Sequence, residues 1–303
     1  MSAVSASDLV VGLGQATVEM IGVGPRSPEP VVELGTFSVQ SGGAVGTALA
    51  TVAALGGRSR YFGRLSDDEF GSIILRGLKQ FGVDVSQVLI EPGKVSPASF
   101  ISVDERTGRR LVRFTRGSAT PPEPGELSRN LFDDARVLLV DGRSPATQVA
   151  AAERARALGI TVVLDARGLD PGMGELLDLS DIVIGNERFA AEFSHSSDMK
   201  RSLLELTQMG PKIAVLTLGE EGAIALENET LVRQPALPVE VYDTTGASDV
   251  FRGAFIYGTL QGWPLDRCLP FANAAAALNC TQLGGVGGIP TLSAVTRAAG
   301  LSA

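Results

Sequence analysis

The residues best suited to chemistry form one short run, Asp243-Thr244-Thr245-Gly246-Ala247-Ser248-Asp249. It falls between a strand-like segment, VEVYD, and a helical one from Val250 to Leu260. In open α/β sheets ligands bind at the carboxyl ends of the strands, so a strand-to-helix loop is where a site belongs. Gly246, Ala247 and Ser248 are small enough to leave their backbone N–H groups accessible, and the following helix adds the positive end of its dipole. The result is an anion hole suited to a phosphoryl group in transfer. Asp249 falls in the first helical turn, where the dipole complements a carboxylate, and is placed to take a proton from a substrate hydroxyl. In isolation the run also reads as a capped helix, with Asp243 and Thr244 as caps and Asp249 complementing the dipole.

Such a loop needs a sheet to hold it. Short β-rich runs fill residues 8–43, then helix and strand alternate: a helix over Gly46 to Gly56, RSRYFGRL as a strand, a helix over Phe70 to Phe81. ASFISVDE and RRLVRFTR face each other across Arg106-Thr107-Gly108, the chemistry of a hairpin turn. RVLLVD, a helix over Thr147 to Leu158, ITVVLDA, DIVIGN, a helix over Asp198 to Met209 and KIAVLTLG follow, then a hairpin around Gly222 to Leu231 and a helix over Leu269 to Leu278. The alternation predicts a parallel sheet with helices on both faces. The expected organisation is one α/β domain over residues 1–303, with lid strands from about 15–40 and 97–118 inserted into it.

Composition removes other classes. With 44% hydrophobic and 20% charged residues, the 303-residue chain can bury a sizeable core. Its formal charge of −8 provides no general attraction to nucleic acid or anionic lipid. One histidine, His195, and two cysteines, Cys268 and Cys280, cannot build a Cys/His metal centre or a disulfide framework. His195 in EFSHSSD reads as a surface residue, and no apolar run reaches membrane-spanning length. The opening MSAVSASDLVVG has no signal-peptide pattern, so the expected location is the cytoplasm. Gly12-Leu13-Gly14-Gln15-Ala16-Thr17 misses the dinucleotide fingerprint at Thr17, and no Walker P-loop occurs.

Residues 243–249 resemble the second signature of the ribokinase or PfkB family of sugar kinases, D-T-[TV]-G-A-G-D, with Ser248 for the last glycine. The first signature resembles Gly42-Gly43 through Gly63-Arg64-Leu65-Ser66-Asp67-Asp68-Glu69-Phe70-Gly71. The resemblance covers essentially the whole chain. It implies a ribokinase-like three-layer α/β/α sandwich, a mostly parallel central sheet and a small β-sheet lid. It also implies transfer of the ATP γ-phosphoryl group to a sugar hydroxyl, with Asp249 as base and the amides of Gly246, Ala247, Ser248 and Asp249 holding the phosphate. Nucleotide contacts map by resemblance onto Asn186, Thr217, Gly219, Gly222 and Asn273, and Mg2+ comes with ATP. Gly42 and Gly43 map onto the sugar site, and Asp141 and Arg143 follow a core strand and face either the pocket or solvent. Asp243, Thr245, Asn279, Gln282, Gly284 and Gly288 match the positions that hold a monovalent cation such as K+ in many members. Members commonly pair through their lids, so a homodimer is expected.

The chain departs from the pattern at three places. Glu19 replaces a sugar-binding aspartate, Thr47 replaces an asparagine after the glycine pair, and Phe189 stands where the N-x-x-E element has its glutamate, with Glu187 or Glu192 as stand-ins. Two other readings therefore stay open. One is a nucleoside kinase, for which the lid offers Phe37, Phe100 and Phe114. The other is a non-catalytic sugar or nucleotide sensor, against which Asp249 argues. Arg113 and Arg116 in the lid favour an anionic sugar: phosphorylated, acidic or sulfonated.

Overall fold

The computed structural model describes residues 8–25, 27 and 31–301. Residues 1–7, read above for a leader, and Pro30, at the head of the run PVVELGTFSVQ, lie outside the described residues. The apolar runs of the sequence become parallel strands buried on both faces, with the more polar RSRYF added at one edge. They lie side by side in the order β12 (Ile213–Thr217), β11 (Ile182–Asn186), β10 (Thr161–Ala166), β9 (Ala135–Val140), β1 (Leu9–Leu13) and β4 (Arg58–Phe62). Beyond β12, β13 (Ala223–Glu227) and β14 (Thr230–Gln234) extend the sheet by antiparallel pairing.

Successive side chains on a strand point to opposite faces, and this divides the core. Val10, Leu139, Val163, Ile184 and Val215 face α1 (Ala44–Ala54), α7 (Ala247–Leu260) and α8 (Leu265–Asn279). Val11, Leu138, Leu164, Val183 and Leu216 face α3 (Pro145–Ala157), α4 (Met173–Leu179), α5 (Glu187–Ser194) and α6 (Met199–Gln208). The expected three layers are present. No helix among the described residues is long and apolar enough to cross a membrane.

A second sheet has the order β3 (Thr36–Gly42), β2 (Thr17–Gly24), β7 (Ala98–Asp104), β8 (Arg110–Thr115). Its cross-strand register sorts the lid residues. Glu19, Ser99 and Phe114 form one row on the inner face, above a small core of Ile21, Val23, Ile101 and Val103. Met20, Val39, Phe100 and Arg113 form a row on the outer face, joined there by Phe37 and Leu111. Arg113 therefore points away from the inner face, and so do two of the three lid phenylalanines, Phe37 and Phe100. This corrects their expected place in a substrate pocket.

Other corrections are local. VEVYD is not a strand, because the Tyr242 and Asp243 amides bond to the Cys280 carbonyl at the end of α8 (2.8 and 3.1 Å). RSRYFGRL breaks after β4, and Arg64–Leu65 pairs instead with Leu89–Ile90. Helices α4 and α5 were not expected; the first provides the crossover that two successive parallel strands, β10 and β11, require. Helix α8 begins before Leu269 and runs through Pro270, and α7 begins at Ala247. His195 is exposed, capping α5 at φ +50°.

Candidate active site

The cradle forms where two loops meet at the start of α7. Gly246 caps this helix at φ +75°, and a Cβ there would lie 2.3 Å from Gly285 Cα, so only glycine permits the approach. Ser248 lies inside the helix with helical backbone, so a side chain in place of the family glycine causes no strain. The amides of Ala247 and Asp249 bond back to the carbonyls of Thr244 and Gly246 (3.3 and 2.9 Å). Those of Gly246 and Ser248 have no acceptor among the described residues, which makes them the open donors of the four.

Asp249 is 7% exposed and does not stand alone. Its Oδ1 meets Arg252 Nη1 at 3.2 Å and also receives Arg167 Nη2. Both arginines lean on Asp165 at the end of β10: Arg167 Nε at 2.8 Å, and Arg252 Nε at 2.7 Å without hydrogen-bond alignment. Burial opposes the charge on Arg167, but Asp165 and Asp249 hold its guanidinium above the ordinary range. Burial draws the buried Arg252 below it, against the pull of Asp165.

The lid brings a different carboxylate. Glu19 accepts from the Gly43 amide through Oε1 (3.2 Å), while its buried Oε2 has no partner among the described residues. Burial pushes its carboxyl up to about 7; the Gly43 amide and Arg110 oppose the rise, and Asp249 and Asp243 add to it. Gly42 leaves room for this group, since a Cβ there would sit 2.2 Å from the carboxyl carbon. Gly43, at φ +88°, would place a Cβ 2.8 Å from the Gln15 carbonyl oxygen. Thr47, in the first turn of α1, has a buried hydroxyl without a partner among the described residues. The lid tip touches the cradle loop, with Arg110 and the Gly108 carbonyl bonded to Thr244.

Asp141 is a buried staple. It accepts from the amides of Gln15 (2.7 Å) and Arg143 (3.0 Å) and from Gln148 Nε2 (2.9 Å). Burial raises its proton affinity against those bonds. Arg143 reaches outward, its guanidinium 5.6 Å from the Phe114 ring. Arg143, Arg116, Arg64, Phe114 and Gln148 line a pocket between the lid and the ends of β1 and β9. Asp249 does not line it, but Val140 pairs with Leu164, so Asp141 and Asp165 end neighbouring strands.

The residues matched to nucleotide binding gather at the far sheet edge. Asn186 pairs in register with Thr217, and its Oδ1 caps α5 through the Phe189 amide (2.8 Å). Gly219 and Gly222 take positive φ in the turn before β13. Asn273 spends its amide donors on the Gln234 and Pro235 carbonyls (3.0 and 3.1 Å). Phe189 is fully buried and stacks on Phe193, so this position offers no carboxylate, while Glu187 and Glu192 are exposed.

The residues matched to a cation lie behind the cradle. Asp243 accepts from the amides of Thr245 and Gly284, both at 2.8 Å. Asn279 Nδ2 donates to the Thr245 carbonyl (2.9 Å), and Gln282 donates its amide to the Asn279 carbonyl (3.1 Å). Gly288 packs against Asn279, where a Cβ would lie 2.4 Å from the carbonyl oxygen. Thr245 Oγ1 and Asn279 Oδ1 are buried oxygens without a partner among the described residues.

Sequence reasoning missed Asp165, Arg167 and Arg252. The signal was present: LDAR carries the same Asp-x-Arg as VDGR at a strand end, and Arg252 is a lone charge in an otherwise apolar run, three residues after Asp249.

Comparison with known proteins agrees with this architecture. The family model described as pfkB family carbohydrate kinase matches residues 7–292. A 5-dehydro-2-deoxygluconokinase of Geobacillus thermodenitrificans is 27% identical over 295 residues, covering 88% of this chain and 86% of its own. The crystal structure of adenosine kinase from Sinorhizobium meliloti superimposes with a TM-score of 0.83 at 27% identity, covering 97% of this chain and 99% of that one. The structure of Arabidopsis thaliana ribokinase complexed with ribose and ATP shares the fold, with a TM-score of 0.84 at 24% identity over 97% and 99% of the two chains. With its fold, its site residues and a family model spanning nearly the whole length, the chain belongs to the pfkB family of carbohydrate kinases, ATP-dependent enzymes that phosphorylate a sugar or nucleoside hydroxyl.

Proposed function

We propose that this kinase phosphorylates an anionic sugar, with Asp249 as base and the turn from Gly246 to Asp249 as the phosphate cradle. The observation that carries the chemistry is the arrangement of Asp249. Its Oδ1 is held by two guanidiniums, while Oδ2 has no partner among the described residues and is open to a substrate hydroxyl beside the free amides of Gly246 and Ser248. The sugar oxygen attacks the γ-phosphorus, the bond to ADP breaks with its electron pair, and the hydroxyl proton passes to Asp249 Oδ2. Glu19, Gly42, Gly43 and Thr47 frame the sugar hydroxyls. Arg116 and Arg143 on the pocket wall match a carboxylate, phosphate or sulfonate. The kinship with 5-dehydro-2-deoxygluconokinases supports a sugar acid.

ATP lies along Asn186, Thr217, Gly219, Gly222 and Asn273. Mg2+ arrives on the nucleotide and keeps most of its waters, as hydrated Mg2+ with nucleotide phosphates commonly does. The unpartnered oxygens of Thr245 and Asn279 fit a monovalent cation such as K+, with Asp243, Gln282, Gly284 and Gly288 completing the loop around it. The outer lid face, with Phe37, Val39, Phe100 and Leu111 exposed, suits pairing of two lids in a homodimer. Two free cysteines agree with a cytoplasmic setting. A nucleoside acceptor is the second reading, favoured by Phe114 on the pocket wall and by the adenosine kinase likeness.

The test is ADP release across acidic, phosphorylated, sulfonated and neutral sugars and nucleosides, with Asp249→Asn in parallel. Turnover on an anionic sugar, lowered about 10²–10⁴-fold in the variant, is expected. Turnover confined to nucleosides would replace the anionic-sugar reading with the second one.

A further inference from the structure

Behind the cradle lies a charge cluster that no motif includes. Asp165 faces two arginines, and both reach the same oxygen of Asp249. They differ in access. Arg252 is buried, and its Nη1 also donates to the Ser248 carbonyl at 2.8 Å, so it braces the first turn of α7 from inside. Arg167 has a side chain 30% exposed, and its Nη1 has no partner among the described residues. Ser248 Oγ lies 3.4 Å from the oxygen that receives Arg167, so the guanidinium and the cradle are neighbours. A phosphoryl group passing from ATP to a hydroxyl on Asp249 Oδ2 crosses this place.

We propose that Arg167 is a catalytic residue that directs its unused donors onto the transferring phosphoryl group. The inference rests on the kinase chemistry proposed above. As the phosphorus bonds to the sugar oxygen and releases ADP, negative charge spreads over the equatorial oxygens, and a preorganised guanidinium stabilises it. Asp165 is the positioning residue, fixing Arg167 through Nε so that little reorganisation is needed. An arginine with two free N–H groups suits three equatorial oxygens better than a point charge, because its donors are spaced to bridge them.

The test uses the full chain with Arg167→Ala and Arg167→Lys beside wild type, each checked for fold by circular dichroism. Arg167→Ala is expected to lose at least about 100-fold in kcat, with KM for ATP close to wild type, and to regain part of it when guanidinium is added. Arg167→Lys keeps the charge without the fork and is expected to lose activity as well. Calorimetry gives a second readout: tighter binding of ADP with aluminium fluoride than of ADP alone in wild type, a gain lost in Arg167→Ala while ADP affinity holds. An Arg167→Ala enzyme with wild-type kcat, or one with no guanidinium rescue and an intact aluminium fluoride gain, overturns the role of Arg167 alone. A wild-type chain that transfers no phosphoryl group overturns the kinase chemistry, and this inference with it.

Discussion

Strands β9 and β10 lie side by side and each runs out into Asp-x-Arg, yet the two endings do different work. At β9, Asp141 is consumed by backbone amides and Gln148, so Arg143 is left to swing over Phe114 into the pocket. At β10, Asp165 takes two guanidiniums, and Arg167 is pinned between it and Asp249. The tripeptides differ only in the middle residue, Gly142 or Ala166, so the neighbours decide. Turn amides crowd the first aspartate, whereas α7 presents Arg252 and Asp249 to the second. A strand-end carboxylate is thus a staple or a charge anchor according to what the adjacent element brings.

Substitutions can break this contrast. Asp165→Asn leaves Arg252 buried with one carboxylate partner fewer, and about 3–5 kcal/mol of stability should be lost in urea unfolding. A loss no larger than that of Asp141→Asn would mean that the two endings are equivalent after all.

Glu19 offers the next largest effect and a pH signature. Its carboxyl titrates near 7 in the folded chain against an ordinary 4.5, so the folded state binds the proton more tightly. The stability this contributes is complete below the ordinary value and is lost as pH rises through the folded one. At 1.36 kcal/mol per unit the loss is about 3 kcal/mol. Glu19→Gln should therefore melt higher than wild type at pH 8, with the difference gone at pH 4. Equal shifts at both pH values would show that the buried carboxylate is not the cause.

On the pocket side the expected effect is on binding. Arg143→Ala and Arg116→Ala should each raise KM for an anionic sugar about tenfold, or about 1.4 kcal/mol, while outward-facing Arg113→Ala leaves it unchanged. A tenfold change in the Arg113 variant would put the anion on the wrong face. Smallest of all, Asp141→Asn should cost about 1 kcal/mol, since it loses an acceptor but relieves a buried charge.

Much of this could be read along the chain. The apolar runs gave five of the six parallel strands, because a strand buried on both faces is apolar almost throughout, while the sixth, RSRYF, lies at the edge with its arginines partly in solvent. The run from Asp243 to Asp249 announced its cradle, because only small residues leave amides open beside a helix start. Segments whose structure depends on a distant partner were harder. VEVYD has strand composition but spends its last two amides on the Cys280 carbonyl, and α5 begins because Asn186 caps it.

What the amino-acid order determined by itself was the layer architecture, the cradle and its carboxylate, since periodicity and backbone freedom are local properties. Only the tertiary structure decided which arginine meets which carboxylate. Arg167 and Asp249 are 82 positions apart, and an ion pair over that separation exists only once β10 and α7 have packed together. The fold likewise decided that Phe114 and Arg116 face the pocket while Phe100 and Arg113 face outward, because strand register assigns each side chain to one face of a sheet.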